Sequence, residues 1–376
     1  MKIADIKPYP KNAKKHPPKH IQQIADSIKA FGMHQPIVVD KDGVIIVGHG
    51  RYEACKLLGI EPEIKVVDLS EEQAKAYRLA DNKLNESEWD MNLVIEELQL
   101  LSPEMLDLTG FDSDLLITPD EKDDQVPDVP EEPVSKLGDF YELGQHRVLC
   151  GDSTQHEAVS ALMGGKKADM VFTDPPYGVD YLSRVDKDRR KPWGEIVNDN
   201  LNGTALVLFL RDSVGELPKP KYICCNWQSV KDFFEALGMP NSLIVWDKKS
   251  VGLGANYRSQ HEFILFYGKL NHRNETNVWS LKRDTLREYA HPTQKPVELI
   301  VRAILNSSEQ GGVVYDAFLG SGSTLIACQK TGRICFGNEL EPRYVDVIIS
   351  RYCQYVGNNE ILKNGEKIVW EDQKNK

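Results

Sequence analysis

Apolar residues recur along this chain with two different periods. In HIQQIADSIKAFG, residues 20–32, Ile21, Ile24 and Ile28 fall on one helical face, and Gly32 follows as a stop. Short apolar runs at 37–39 and 44–47 flank the turn Asp40–Gly43 and predict two short strands. GHGRYEACKLLG, residues 48–59, opens a helix on a glycine-rich loop and closes it at Gly59. Ser70 and Gln73 form a capping box at the start of SEEQAKAYRLADNK. Together these elements predict a small α+β unit. From residue 138 onward the pattern changes. Continuous apolar runs predict strands at Arg147–Cys150, Met170–Phe172, Tyr222–Cys225, Leu243–Trp246, Phe263–Tyr267, Val313–Tyr315 and Ile334–Gly337. Helical patterns such as VELIVRAILNSS and TLIACQK lie between most of them. Strands without polar alternation are buried on both faces, so the expectation is an α/β fold with a doubly wound parallel sheet. Ligands in such sheets sit at the carboxyl ends of the strands.

Between the two patterns, residues 118–137 hold seven Asp/Glu, two Lys and four prolines. Such a segment buries too little apolar surface to offset its ordering entropy and reads as an extended linker. The 376 residues then divide into 1–117, 118–137 and 138–376. The net charge of −11 argues against a protein that coats nucleic acid. Residues 138–376, however, balance 30 acids with 30 bases, and the first 40 residues carry seven lysines against three aspartates, which leaves room for a local basic face. No stretch approaches a membrane span, and the N-terminus lacks the apolar core of a signal peptide, so the expected compartment is the cytoplasm. Seven cysteines without a CxxC pair fit reduced, buried thiols. The nine histidines show no metal-ligand spacing, so no metal is expected.

The candidate chemistry sits at predicted strand ends. In TDPPYG, neither proline offers an N–H, so the turn presents carbonyls, and each ring fixes φ near −65°. Asp174 adds a carboxylate beside the Pro175 carbonyl, and Tyr177 adds a flat face. Two acceptors and a stacking platform suit a planar heterocycle bearing an exocyclic NH₂. In YDAFLGSGSTLIACQKTGRICFGNEL, a strand ends at Asp316, the turn Gly320-Ser321-Gly322 follows, and the next strand ends near Glu339. This is the strand–loop–helix–strand–acid unit of an adenosine site, with the terminal carboxylate placed for a ribose diol. The six-position nucleotide fingerprint and a GK[ST] are both missing, which favours an adenosine without phosphates. LCGDS places Asp152 at another carboxyl end. In HPTQKP, Thr293 and Lys295 stand where they could hold a carboxylate near a helix start.

These motifs, in this order, resemble the S-adenosylmethionine-dependent amino-methyltransferases of DNA, in the permuted arrangement where DPPY precedes the glycine motif. The resemblance covers residues ~138–356. It implies a Rossmann-like methyltransferase sheet of seven strands with one antiparallel edge strand. It implies S-adenosyl-L-methionine held by Asp152, Ser153, Thr293, Lys295, Asp316, Phe318, Gly320, Ser321, Gly322 and Glu339, and catalysis by Asp174, Pro175, Pro176 and Tyr177. Asp-Ala-Phe stands where the family usually has Asp-Pro-Phe, and GNEL where GIEL is commoner. The N-terminal unit resembles the ParB/sulfiredoxin domain, with Gly48 and Arg51 in its arginine box. Partition proteins carry two arginines there, and Gly50 replaces the sulfiredoxin cysteine, so an accessory DNA-binding or docking role is expected.

The reaction implied is methylation of adenine N6 in double-stranded DNA, with the base flipped out of the duplex. Arg184, Lys187, Arg189, Arg190 and Lys191, directly after DPPYG, are candidate phosphate contacts, as are Lys248 and Arg258. Cytosine-N4 methylation is the runner-up, because Asp at the first motif position leans toward adenine. RNA or protein-amide methylation ranks lower. A partition-like DNA-binding protein with an inert C-terminal half is the alternative from another class. A homodimer and a cognate restriction nuclease outside this chain are compatible partners.

Overall fold

The computed structural model describes residues 1–84, 89–111, 113–120, 122–178, 198–249, 257–270, 275–281 and 294–371. It falls into two compact units, Met1–Thr118 and Pro119–Lys376.

In the first unit, the apolar stripe read from the sequence becomes α1 (Pro18–Phe31), with Gly32 at its end at φ 83°. The strands β1 (Ile37–Val39), β2 (Ile45–Val47) and β3 (Ile64–Val66) form one sheet with β1 in the middle, antiparallel to β2 and parallel to β3. Both faces of β1 and β2 are covered, which is why their runs lack polar alternation. Ile37, Val39 and Ile45 pack with Ile6 and Tyr52, and Val38, Ile46 and Val47 pack with Ala74. The helix α2 (His49–Leu58) starts from Gly48 in the left-handed region. A Cβ on Gly50 would lie 2.8 Å from Ile24 Cδ1, so a glycine here lets α1 and α2 approach closely. The capping box of α3 (Glu71–Leu84) forms as read: Ser70 N–H donates to Gln73 Oε1 at 2.9 Å, and Gln73 N–H to Ser70 Oγ at 3.2 Å. Two further helices, α4 (Met91–Leu98) and α5 (Pro103–Thr109), complete the unit.

The second unit is built on one sheet. Its strands are β4 (Phe140–Leu143), β5 (His146–Cys150), β6 (Met170–Thr173), β7 (Lys221–Cys225), β8 (Ser242–Asp247), β9 (His261–Tyr267), β10 (Val278–Ser280), β11 (Val313–Asp316), β12 (Ile334–Glu339), β13 (Glu360–Lys363) and β14 (Glu366–Val369). Its helices are α6 (His156–Met163), α7 (Gly203–Leu210), α8 (Val230–Leu237), α9 (Val297–Ser307), α10 (Ser323–Thr331) and α11 (Pro342–Val356). The spatial order is β10-β8-β9-β7-β6-β11-β12-β5-β4-β13-β14. The central run β7-β6-β11-β12-β5 is parallel throughout. All seven strands expected here are present. The expected seven-stranded sheet with an antiparallel edge is corrected in two ways. Among the described residues the sheet has eleven strands, and the antiparallel β9 lies inside it, between β7 and β8. Periodicity reports burial, not neighbours, and β4, β10, β13 and β14 are short and partly exposed, so their hydrophobic signal is weak.

The chain runs from β6 outward to β7 on one side and from β11 outward to β12 on the other. The reversal falls between β6 and β11, which are themselves paired. Helix-covered parallel sheets open a crevice at such a point, beyond the carboxyl ends of the strands.

The free-linker reading of 118–137 is corrected as well. Residues from Pro119 onward belong to the second unit, with Asp123 and Ser135 buried. Val134 and Ser135 both donate backbone N–H bonds to the Asp346 carboxylate on α11, at 2.6 and 3.0 Å. Composition counts only apolar surface; this segment is held by polar anchors instead.

Candidate active site at the carboxyl edge of the sheet

Adjacent strands carry the two main motifs. β6 delivers Thr173-Asp174-Pro175-Pro176-Tyr177, and β11 delivers Asp316. The Thr173 hydroxyl donates to Asp316 Oδ1 at 2.7 Å, so the motifs are joined by a direct hydrogen bond. Asp316 also accepts from Phe318 N–H at 3.0 Å and from the Thr324 hydroxyl at 2.6 Å. These bonds shape the glycine turn from within, since Phe318 begins it and Thr324 lies in the first turn of α10. Burial pushes the Asp316 carboxyl up to about 7, against the pull of the Thr324, Phe318 and Thr173 donors.

Gly178 ends the first motif at φ 67°, and a Cβ there would run into the Leu201 carbonyl oxygen. Only glycine meets both conditions, which explains its place after Tyr177.

Four charged groups surround the proline turn. Lys295 Nζ lies 2.6 Å from Asp174 Oδ2, 3.0 Å from the Tyr177 hydroxyl and 3.3 Å from Glu262 Oε2. Tyr177 donates to Asp174 Oδ1 at 2.6 Å. Lys248 Nζ donates to Glu262 Oε1 at 3.1 Å. The set holds two carboxylates and two ammoniums and is mostly closed to water, with Lys295 side-chain exposure of 6%. Burial works to neutralise Lys295, but Asp174 and Glu262 outweigh it and keep the ammonium above its ordinary range. Asp174 is pushed up by burial, with Lys295 and the Tyr177 hydroxyl opposing.

The glycine turn closes on Glu339. Gly320 N–H donates to its Oε2 and Glu341 N–H to its Oε1, both at 2.8 Å. Burial raises this carboxyl to about 7. Gly151 N–H donates to the Glu339 carbonyl at 2.9 Å, which sets Asp152 at the end of the adjoining strand β5. Asp152 accepts from Thr154 N–H at 2.9 Å, and Ser153 is buried. No atom lies within 4 Å of where a Cβ on Gly320 would sit, so the loop backbone faces open space beside the acid. An acid beside an open backbone turn fits a nucleoside with a free diol.

Not every expected role matches the geometry. Lys295 was read as a partner for a cofactor carboxylate; its ammonium instead sits on Asp174. The N–H that opens α9, at Val297, donates to Asp124 Oδ1 at 2.9 Å, so a protein carboxylate already stands at that helix start. Lys248 was read as a phosphate contact; it is paired with Glu262 at 13% side-chain exposure and is a wall of the pocket. Arg258 is exposed. Thr293, Arg184, Lys187, Arg189, Arg190 and Lys191 lie outside the described residues. Glu262 escaped the sequence reading because a lone acid at a strand start carries no spacing signal. In the first unit, Arg51 donates to Gln35 Oε1 at 2.8 Å and to the Pro36 carbonyl at 3.4 Å.

A parallel sheet whose strand order reverses between β6 and β11, with a proline corner on one side and an acid-capped glycine turn on the other, defines the class as an α/β protein with its candidate site at the carboxyl edge. The DNA methylase family matches residues 269–350, and the ParB N-terminal domain matches residues 1–83. The chain is 26% identical over 238 residues to the type II methyltransferase M.HpaI of Haemophilus parainfluenzae, covering 54% of this chain and 73% of that protein. It is 37% identical over 73 residues to the ParB-like nuclease domain-containing protein YnaK of Escherichia coli, covering 19% of this chain and 84% of that protein. Of another relative, M.ScaI of Streptomyces caespitosus, the chain spans 28% at 37% identity. Among solved structures, the M1.HpyAVI–SAM complex aligns with TM-score 0.39 and 22% identity, over 54% of this chain and 98% of that one. The PvuII cytosine-N4-specific DNA methyltransferase aligns with TM-score 0.43 and 16% identity, over 58% and 90%. The chain therefore joins a ParB N-terminal domain to a domain of the DNA methylase family.

Proposed function

We propose that the second unit transfers a methyl group from S-adenosyl-L-methionine to N6 of an adenine flipped out of double-stranded DNA. The observation that carries this reading is the Thr173–Asp316 bond at 2.7 Å, which ties the amine-binding corner to the cofactor turn. Amine and methyl donor must touch for an in-line transfer, and motifs on adjoining strands meet that need.

The cofactor, when bound, supplies an electrophilic methyl group. Glu339 would take the ribose hydroxyls, and the Gly320 backbone leaves room for the nucleoside. At the corner, Asp174 and the Pro175 carbonyl would accept the two amine hydrogens. An aromatic amine is a poor nucleophile because its lone pair is delocalised into the ring. Holding both hydrogens out of the ring plane localises that pair on nitrogen. Pro176 fixes the turn, and Tyr177 is locked by its hydroxyl bonds to Asp174 and Lys295, which leaves its ring to stack on the base. The Lys295 ammonium opposes the upward push of burial on Asp174 and so favours its charged, accepting form.

Methylating mixed-sequence DNA, hydrolysing it to nucleosides and identifying the product by mass spectrometry tests the proposal. N6-methyladenine is the expected product. N4-methylcytosine would replace the adenine assignment, and the absence of either would overturn the methyltransferase reading.

A further inference from the structure

Asp123 and Asp124 of the acidic segment reach both the glycine turn, through Arg351, and the start of α9. Asp123 is 3% exposed. Its Oδ2 accepts from Lys330 Nζ at 2.6 Å and from Asp120 N–H at 2.9 Å, and its Oδ1 from the Tyr355 hydroxyl at 3.3 Å. Its backbone carbonyl accepts from Arg351 Nη2 at 2.7 Å. The same guanidinium sends Nη1 to the Ser321 carbonyl at 2.8 Å and to Ser321 Oγ at 3.4 Å, inside the glycine turn. Asp124 faces the other motif. Its Oδ1 accepts from Val297 N–H at 2.9 Å, and its carbonyl accepts from Gln294 Nε2 at 3.2 Å.

These contacts have a definite mechanical sense. Arg351 is buried, and its planar fork spans two backbone carbonyls, which fixes their separation. Burial draws the guanidinium down to about 10, and the nearby Asp124 and Asp123 carboxylates hold it charged. The residue before α9 is Pro296, whose side chain caps nothing. Asp124 supplies the missing acceptor from 173 positions away, next to a helix end that favours negative charge. A buried acid is retained only when it is partnered, and Asp123 meets that condition here through Lys330, Tyr355 and the Asp120 N–H.

We propose that Asp123 and Asp124 form a brace for the cofactor site and act as positioning residues. Asp123, through Arg351, sets the Ser321 turn, and Asp124 sets the start of α9 and with it Lys295. The inference rests on the reading of the glycine turn as the S-adenosylmethionine site.

The test measures cofactor Kd by calorimetry on the full chain, and cofactor KM and kcat on DNA, well below the melting temperature of each variant. Asp124→Ala removes a helix cap and is expected to raise Kd and KM roughly ten-fold and, because it loosens Lys295, to lower kcat at saturation as well. Asp124→Asn keeps an acceptor for Val297 N–H and stays within about three-fold of the parent. Asp123→Asn, which loses the Lys330 pair, falls in between. Glu131→Gln and Glu132→Gln, exposed acids of the same segment, leave Kd unchanged. A fall in melting temperature with unchanged Kd would reduce the segment to ordinary packing. Tighter binding in Asp124→Ala would mean that this carboxylate competes with the cofactor instead of supporting it. Either result overturns the brace. A parent chain that fails to bind the cofactor at all removes the reading beneath it, and is told apart from these by the wild-type titration alone.

Discussion

At the scale of single residues, the site depends on charges that burial opposes. Asp174→Ala removes the amine acceptor but no cofactor contact; transfer is expected to vanish while calorimetric cofactor binding persists. Equal loss of both would assign Asp174 to the wrong pocket. Lys295→Ala leaves the half-buried Asp174 without its cation. Its carboxyl then rises further, so the ionised form needs a higher pH. The acidic limb of the pH–kcat profile is expected to move to higher pH, and kcat at neutral pH to fall about 100-fold, with Lys295→Arg recovering part of the loss. Glu339 gives an independent pH handle. Its carboxyl is raised to about 7, and a bound ribose diol favours the ionised form. Cofactor affinity is therefore expected to increase as pH rises from about 6 to about 8, with proton release visible as buffer-dependent binding heat near neutrality. The raised value has the opposite sign for folding: the protonated acid is favoured in the folded chain, so its stabilising contribution is lost as pH rises through about 7. Most of these residues were legible as motifs. Their partners were not, because Lys295 and Asp174 are 121 positions apart and no local spacing links them.

At the scale of elements, local rules worked where the signal is local. The α3 capping box, the glycine stops of α1 and α2, and the seven expected strands of the second unit all follow from neighbouring residues. What failed was neighbour order: β9 enters the sheet antiparallel between β7 and β8, a matter of which apolar surfaces meet in space. The corner after β6 shows the two levels together. Its prolines and glycine could be read as a turn, but only the fold puts the Leu201 carbonyl against Gly178. Gly178→Ala is expected to cost about 2 kcal/mol in chemical denaturation, from a left-handed φ and a backbone clash combined. It should also lower kcat, because Asp174 and Tyr177 share that turn.

At the scale of the whole molecule, two units with separate cores stand in one chain, and the proposed chemistry belongs to the second. Hydrogen exchange with saturating S-adenosylmethionine is expected to slow in 313–341, around β11, the glycine turn and β12, and to stay unchanged in 37–66. Protection confined to the N-terminal sheet would move the cofactor to the other unit. No helix among the described residues is long and apolar enough to cross a membrane.

The sequence by itself determined the two classes of architecture, the seven central strands of the second unit, several helices of both, and the identity of the motif residues. Those properties are written in runs of a few residues, where periodicity, proline and glycine act directly on the backbone. Tertiary structure alone decided that Thr173 meets Asp316, that Glu262 and Lys248 wall the proline corner, and that an acidic segment is anchored rather than free. Each of those depends on charges brought together across long stretches of chain. Their cost or benefit is set by burial, and burial is a property of the packed fold.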